Sequence, residues 1–386
     1  GAPVAHEDHA QRACYAALSI QKAMDAYGEK IKKDTGVAFK MRIGLNSGPV
    51  VVGAIGDDLR MDYTAVGDTT NLGSRMESMA RPNTVLVSGN THRLAVDFFE
   101  FKSLGKIEVK GKKAPQAAFE LVKSGKVATR IGASVAKGLT RFVGRKNSIA
   151  TLLDGFDKVK SGSGQVIGLL GEAGVGKSRL LLEMRSLLPQ SEFSYLEGRC
   201  RQYGSSMAYL PVRDILRSYF DIKKDEKEFV AKKKMIKRIF RIDEKLESDL
   251  PAIHDLLTFE VEDEGYRGLE PQQKRDKIFK AIRNLLIRQS QNKTIIIAIE
   301  DLHWIDKSSE EFLNYFIGWI ARAKILLILL YRPEYKHQWG SKSYYNRISL
   351  GHLTIKSSAE LLQAIFTGAK ILPEIKELIL KRAAGN

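Results

Sequence analysis

Two cysteines stand in 386 residues, Cys14 and Cys200. So few, so far apart, exclude a disulfide framework and a cysteine-based metal site, and they fit reduced thiols in a cytoplasmic protein. No apolar run approaches the ~18 residues that a spanning helix needs. The longest, around Ile325 to Leu330, has the length of a strand. The N-terminus lacks a basic stretch followed by an apolar one, so no secretory signal is visible. Internal repeats and low-complexity tracts are missing too. The remaining profile, 44% hydrophobic and 28% charged, is that of a soluble globular protein. The length allows roughly two or three domains of about 100–200 residues.

Acid is also missing, locally. Leu121 to Leu153 contains no Asp or Glu but holds Lys123, Lys126, Arg130, Lys137, Arg141, Arg145 and Lys146. The net charge of +17 is therefore uneven: residues 1–122 hold 16 Lys/Arg against 14 Asp/Glu, and the rest carries +15. A second basic cluster runs through Lys232, Lys233, Lys234, Lys237, Arg238 and Arg241. Such clusters can meet nucleic acid or acidic membrane surfaces. Without interleaved aromatics, solvated faces or help in neutralising a bound nucleotide are the expectation, and nucleic acid is not.

Hydrophobic periodicity divides the chain. Residues 7–27 read as a helix. A hairpin is expected next: Phe39 to Leu45, a turn at Asn46-Ser47-Gly48, then Val50 to Ile55. The loop Gly56 to Gly67 leads to a helix from about Thr69. A strand at Thr84 to Val87, a short helix at Thr91 to Val96 and two strands within Phe99 to Val122 complete an α+β unit, residues 1–122. The segment 123–138 reads as a basic linker. From 139 to 386 a helix precedes the apolar strand Val166 to Leu170, and Thr294 to Ile299 and Ile325 to Leu330 are short runs of the kind buried in parallel sheets. Charged helices fill about Lys223 to Lys280. This second unit is expected to be α/β.

Residues 171–178, Gly171-Glu172-Ala173-Gly174-Val175-Gly176-Lys177-Ser178, match G-x-x-x-x-G-K-[ST] between a strand and a helix. The glycines let backbone N–H groups turn toward phosphate oxygens, and the helix N-terminus adds positive charge. Lys177 would reach the β- and γ-phosphates, and Ser178 would hold Mg²⁺. Downstream, Ile295 to Ile299 end in Glu300 and Asp301, carboxylates placed to bind Mg²⁺ or polarise the attacking water. Which does which is open from the sequence. Arg332, after the strand Ile325 to Tyr331, could sense the γ-phosphate.

The order Phe142-Val143-Gly144-Arg145, GEAGVGKS, "EDLHWID" at 300–306 and "YRPE" at 331–334 resembles the STAND branch of P-loop ATPases, relatives of the AAA+ proteins. The resemblance covers about 139–386. It implies an ATP-binding, ATP-hydrolysing regulatory domain, shortened at its C-terminal end because a Gly-x-Pro element would follow Asn386.

"RIGLNSGPVVVGAIG" at 42–56 and "YTAVGDTTNLGSRME" at 63–77 resemble the second half of a class III nucleotidyl cyclase catalytic domain. The resemblance implies a ferredoxin-like half-domain, residues 1–122. In that family an Asn orients the ribose of the substrate and an Arg four residues later stabilises charge on the α-phosphate; here these are Asn71 and Arg75. On a helix they share one face, beside apolar Leu72, Met76 and Met79. Thr64 falls where the family reads the purine edge, and favours ATP only by resemblance. Lys112 falls where a Lys meets the terminal phosphates, with Lys110 as a near alternative. Asp68 belongs to the turn and N-cap region. The family's two metal-binding Asp residues, for Mg²⁺ or Mn²⁺, would lie before Gly1, so this chain reads as cut at both ends and is expected to form no cyclic nucleotide alone.

The resemblance further implies a homodimer, each active site shared between two cyclase domains. The expected function is a signalling enzyme that converts ATP to cyclic AMP and pyrophosphate, regulated by its ATPase unit. The alternative is a nucleotide-switched scaffold with an inactive cyclase-like module.

Overall fold

A computed structural model describes residues 8–55, 62–108, 114–125, 138–201, 207–223 and 226–366, with positions 132, 135, 374 and 377–379 besides. The chain forms two compact units, Gly1–Leu139 and Thr140–Asn386.

The first unit runs α1 (His9–Thr35), β1 (Arg42–Leu45), β2 (Val51–Ile55), β3 (Asp62–Val66), α2 (Asp68–Met79), β4 (Thr84–Ser88), α3 (Gly89–Ala95), β5 (Phe99–Ile107) and β6 (Gln116–Ser124). The main sheet has the order β1-β4-β6-β5, with β1 parallel to β4 and the other pairs antiparallel. Side chains of a strand alternate between faces. In β4, Val85 and Val87 join Cys14, Ala17, Ala95, Phe98 and Leu121, whereas Leu86 joins Leu72, Met76, Ala80 and Ala118. The two helical layers, α1 with α3 and α2 alone, therefore cover opposite faces.

The helix expected at 7–27 continues to Thr35, where Gly36 (φ +74°) caps it by donating its N–H to the Lys32 carbonyl. The hairpin expected between Phe39 and Ile55 does not form. β1 pairs with β4, and β2 pairs antiparallel with β3, Gly53 opposite Thr64. The reason lies in the turn residues. Asn46 Nδ2 donates to the Thr69 carbonyl (2.8 Å), Thr69 Oγ1 donates to the Pro49 carbonyl (2.6 Å), and Ser47 Oγ lies 3.0 Å from Thr91 Oγ1. These bonds tie the segment to α2 and α3 instead of folding it back on β1. β6 runs to Ser124, two residues into the expected linker.

The second unit runs α4 (Lys146–Lys160), β7 (Gln165–Leu170), α5 (Lys177–Leu187), β8 (Phe193–Arg199), α6 (Leu210–Tyr219), α7 (Glu228–Ile242), α8 (Leu250–Leu256), α9 (Glu264–Arg267), α10 (Pro271–Asn292), β9 (Thr294–Glu300), α11 (Lys307–Ile320), β10 (Ile325–Tyr331), β11 (Tyr345–Ser349) and α12 (Ile355–Ile365). Its sheet, β11-β7-β10-β9-β8, is parallel throughout. Alternation again assigns faces: Leu326, Ile328 and Leu330 pack with α4 and α5, and Leu327 and Leu329 pack with α6, α10 and α11. Both faces are covered, which is why β9 and β10 read as unbroken apolar runs. The edge strands β8 and β11 lack such runs and do not stand out in the sequence.

Candidate functional site

On α2, Leu72 and Met76 are buried, while Asn71 and Arg75 are exposed on the outer face. Met79, expected beside the buried pair, is exposed. Neither the Asn71 amide nor the Arg75 guanidinium has a side-chain partner among the described residues, so both are free to meet a ligand or a second domain. The helix begins at Asp68 after Gly67, whose φ of +138° favours glycine. Asp68 is thus the first helical residue, and its charge complements the helix N-terminus. Thr64 lies on β3, next to β2. Lys112 and Lys110 lie outside the described residues.

Two features fix where this face points. Asn46 accepts from Ser88 Oγ (2.5 Å) while donating to the Thr69 carbonyl (2.8 Å), so one amide joins the end of β4 to the first turn of α2. At Gly44 on β1, an added Cβ would fall 2.1 Å from the Glu77 nitrogen and 2.3 Å from the Gly73 carbonyl oxygen. The helix backbone therefore lies directly on the strand. Gly44→Ala is expected to cost the first unit about 3 kcal/mol, because the obstructing atoms are backbone and cannot rotate away. Chemical denaturation checks this, and an unchanged midpoint would mean that α2 is not seated so closely on β1.

In the second unit the loop after β7 turns through Gly174 (φ +78°) and Gly176 (φ +96°), and α5 starts at Lys177. These positive φ values are glycine conformations. They aim the backbone N–H groups of the turn and of the helix start at one point, the geometry of an anion cradle. Lys177 Nζ donates to the carbonyls of Gly171 (2.6 Å) and Glu172 (2.8 Å). Burial lowers its pKa; the Asp301 charge opposes this and the Arg332 charge adds to it. Burial raises the Asp301 carboxyl, against the pull of Arg199, Lys177 and Arg332. Glu172, Ala173, Val175 and Ser178 complete the cradle. Lys177, Asp301 and Arg332 thus come within electrostatic reach of one another at the C-terminal ends of β7, β9 and β10, where open parallel sheets bind ligands.

Five residues near this point went unassigned in the sequence, Arg199 among them. Arg145 donates to the carbonyls of Val175 (2.9 Å) and Gly351 (2.8 Å), clamping the cradle to the segment after β11. Its neighbour Phe142 lies under the Arg179 guanidinium, 5.2 Å from the ring centre. His303 is pushed down to about 4 by burial and by the Arg332 charge, so it is neutral near pH 7. Asp306 is buried and caps α11, accepting from Ser309 N (2.9 Å), Ser309 Oγ (2.6 Å) and Tyr209 N (3.0 Å); it is a structural residue.

Arg199, the last residue of β8, forms an ion pair with buried Glu300, and its Nε lies 3.8 Å from Asp301 Oδ2. Burial works against the Arg199 charge, but Glu300 and Asp301 outweigh it and raise its pKa. The two carboxylates are therefore unequal: Glu300 is buried and held, and the Asp301 side chain is half exposed. Arg199→Met should cost about 3 kcal/mol by stranding a buried carboxylate. Most of that loss should return in Arg199→Met/Glu300→Gln. Equal stability of the single and double variants, by thermal or chemical unfolding, would show that the pair is not coupled.

The donor set suits Mg²⁺. Among the described residues no group of three or more His, Cys, Asp or Glu could hold a metal, but Mg²⁺ beside phosphates needs only one or two carboxylates with water and phosphate oxygens. Ser178 and Asp301 offer that chemistry, while Glu300, expected from the sequence as a further Mg²⁺ candidate, is engaged by Arg199.

Comparison with known proteins matches residues 1–123 to the adenylate and guanylate cyclase catalytic domain and residues 141–328 to an AAA ATPase domain. An uncharacterised protein of Rhizobium meliloti is 26% identical over 360 residues, 89% of this chain and 33% of that protein. Adenylate cyclase 1 of Rhizobium meliloti is 35% identical over 123 residues, 31% of this chain and 18% of its own length. The guanylate cyclase soluble subunit beta-2 of Rattus norvegicus is 41% identical over 113 residues, 29% of this chain and 16% of its own length. The chain thus spans a third or less of these relatives.

Proposed function

We propose, since residues 1–123 belong to the adenylate and guanylate cyclase catalytic domain family and residues 141–328 to the AAA ATPase domain family, that the chain is part of a signalling enzyme which converts ATP to cyclic AMP and pyrophosphate under the control of its ATPase unit. The observation that carries the reading is the outer face of α2, where Asn71 and Arg75 stand exposed, one turn apart and without side-chain partners among the described residues. A second cyclase domain would complete the site, so the protein would act as a homodimer.

In that site Asn71 orients the ribose. Arg75 places its guanidinium on the α-phosphate, where charge grows as the 3′-oxygen attacks and pyrophosphate leaves. Little covalent chemistry is asked of the protein, so fixed positive charge supplies much of the rate. Thr64 contacts the purine edge; a hydroxyl donates or accepts, so adenine preference rests on resemblance. Lys112 would meet the terminal phosphates. Mg²⁺ or Mn²⁺, when bound, neutralises phosphate charge and activates the attacking oxygen; its carboxylates would come from the opposite side of the shared site.

In the second unit the N–H groups of 171–178 would hold the phosphates of ATP, with Lys177 meeting the β- and γ-phosphates, and Ser178 and Asp301 would hold Mg²⁺, which when bound neutralises phosphate charge. Glu300, engaged by Arg199, shapes the site from behind. Arg332 reads the γ-phosphate. Both units would work in the cytoplasm.

The test is product formation from ATP and from GTP by the full-length protein with Mg²⁺ or Mn²⁺. Cyclic AMP as the main product supports the reading, and cyclic GMP would reassign the base. A folded, dimeric, ATP-binding protein that makes neither would favour the scaffold.

A further inference from the structure

The second basic cluster has a use that nucleotide chemistry does not absorb. It lies on α7, which buries Ala231, Met235 and Ile239 in the core. The opposite side is not the polar surface that this pattern normally leaves. Phe229 is 76% exposed, and Val230, Ile236 and Phe240 are 41%, 42% and 41% exposed. Phe229, Lys233, Ile236 and Phe240 follow one another at steps of four, three and four, which places them in one stripe. The other exposed positions of the helix are Lys237 and Arg241, and no exposed position is acidic. Contrary to the expectation from the sequence, an aromatic does lie within this cluster, Phe240, and another, Phe229, stands just before it.

The cations of α7 divide by face. Lys232 pairs with Glu228 (2.9 Å), Lys234 pairs with Glu226 (2.7 Å), and Arg238 stacks on Tyr219, 4.2 Å from the ring centre. Lys233, within that stripe, and Lys237 and Arg241, beside it, make no ion pair among the described residues. The helix thus neutralises its charges toward the protein and leaves them open beside exposed Phe and Ile.

We propose that this face of α7 docks on an anionic lipid surface. The chemistry that matches it is a layer of negative headgroups above hydrocarbon: phosphate or carboxylate for Lys233, Lys237 and Arg241, acyl chain for Phe229, Ile236 and Phe240. A nucleic acid would satisfy the cations and stack on phenyl rings, but it offers nothing to Ile236 and Val230. A bilayer also needs no matching groove, which suits a convex helix. The contact would be interfacial, since among the described residues no helix is long and apolar enough to cross a membrane.

The experiment is co-sedimentation of the 386-residue chain with vesicles of phosphatidylcholine alone and of phosphatidylcholine with about one-third phosphatidylserine. Binding is expected to the anionic vesicles only. Because a chain of charge +17 could adhere by charge alone, the deciding variant is Phe229→Ser/Phe240→Ser, which leaves the charge unchanged. It should weaken binding about tenfold or more, since apolar burial contributes to interfacial affinity. Lys233→Gln/Lys237→Gln should weaken it too and flatten its salt dependence. Phe229, Lys233 and Lys237 are exposed, so their substitution should leave unfolding midpoints in place, and Phe229→Ser alone should already weaken binding if the partly covered Phe240 (41% exposed) proves to matter for folding. No binding to anionic vesicles, or equal binding by the Phe variant, would overturn the proposal. So would a Phe variant that changes only self-association in sedimentation velocity, or only the retention of an oligonucleotide, because the face would then belong to a second copy or to nucleic acid.

Discussion

Arg75→Ala in the full-length protein is expected to lower cyclic nucleotide formation by about 10²–10³-fold, the usual loss when one charge-stabilising donor leaves an active site. The loss should fall on kcat more than on substrate affinity, because the charge that Arg75 meets grows in the transition state. Arg75 is exposed and has no ion pair among the described residues, so the same substitution should leave unfolding within about 0.5 kcal/mol of the parent. That separation gives the result its meaning. Arg75→Lys should recover only part of the rate, since an ammonium keeps the charge but not the planar fork that fits a phosphate. Full activity of Arg75→Ala would take the outer face of α2 out of the cyclase site and leave the helix as a packing element alone.

Lys177→Ala is the second large effect, and it reports on the other unit. The ammonium sits at the mouth of the cradle, held by the Gly171 and Glu172 carbonyls. Phosphates would replace those weak acceptors with charged ones. Hydrogen bonds to charged groups are worth about 1.5–3 kcal/mol each, so ATP affinity should fall roughly 10–100-fold, and hydrolysis should fall further. Nucleotide titration checks the first and phosphate release the second. Unchanged affinity would remove Lys177 from the site. Cyclic nucleotide formation by the same variant then reports on regulation: an altered rate couples the two units, and an unaltered one separates them.

The two sites were legible to different depths. The helix from Asp68 and the cradle at 171–178 are visible because each is contiguous: glycine at positive φ, a helix start, and apolar residues spaced by one turn are properties of neighbouring residues. The buried strands β9 and β10 were visible for the same reason, being apolar without interruption. Edge strands β8 and β11 were not, since only part of each is buried and neither carries an unbroken apolar run. The turn at Asn46 reads equally well as a hairpin until its amide is seen to join Thr69 to Ser88, 42 residues away. The wrong pairing of β1 followed from that ambiguity.

Alone, then, the sequence determined an α+β unit followed by an α/β unit, an anion cradle in the second and a same-face Asn71 and Arg75 in the first, because local backbone preference and periodicity act over a few residues. Tertiary structure alone decided which strands pair, that Glu300 is held by Arg199 101 residues away while Asp301 is left freer, that Asp306 is a cap, and that the open cations of α7 stand beside exposed Phe and Ile. Each of these depends on which distant groups share one desolvated space. Desolvation makes an unpaired charge costly and a paired one stable, and no spacing along the chain records that pairing.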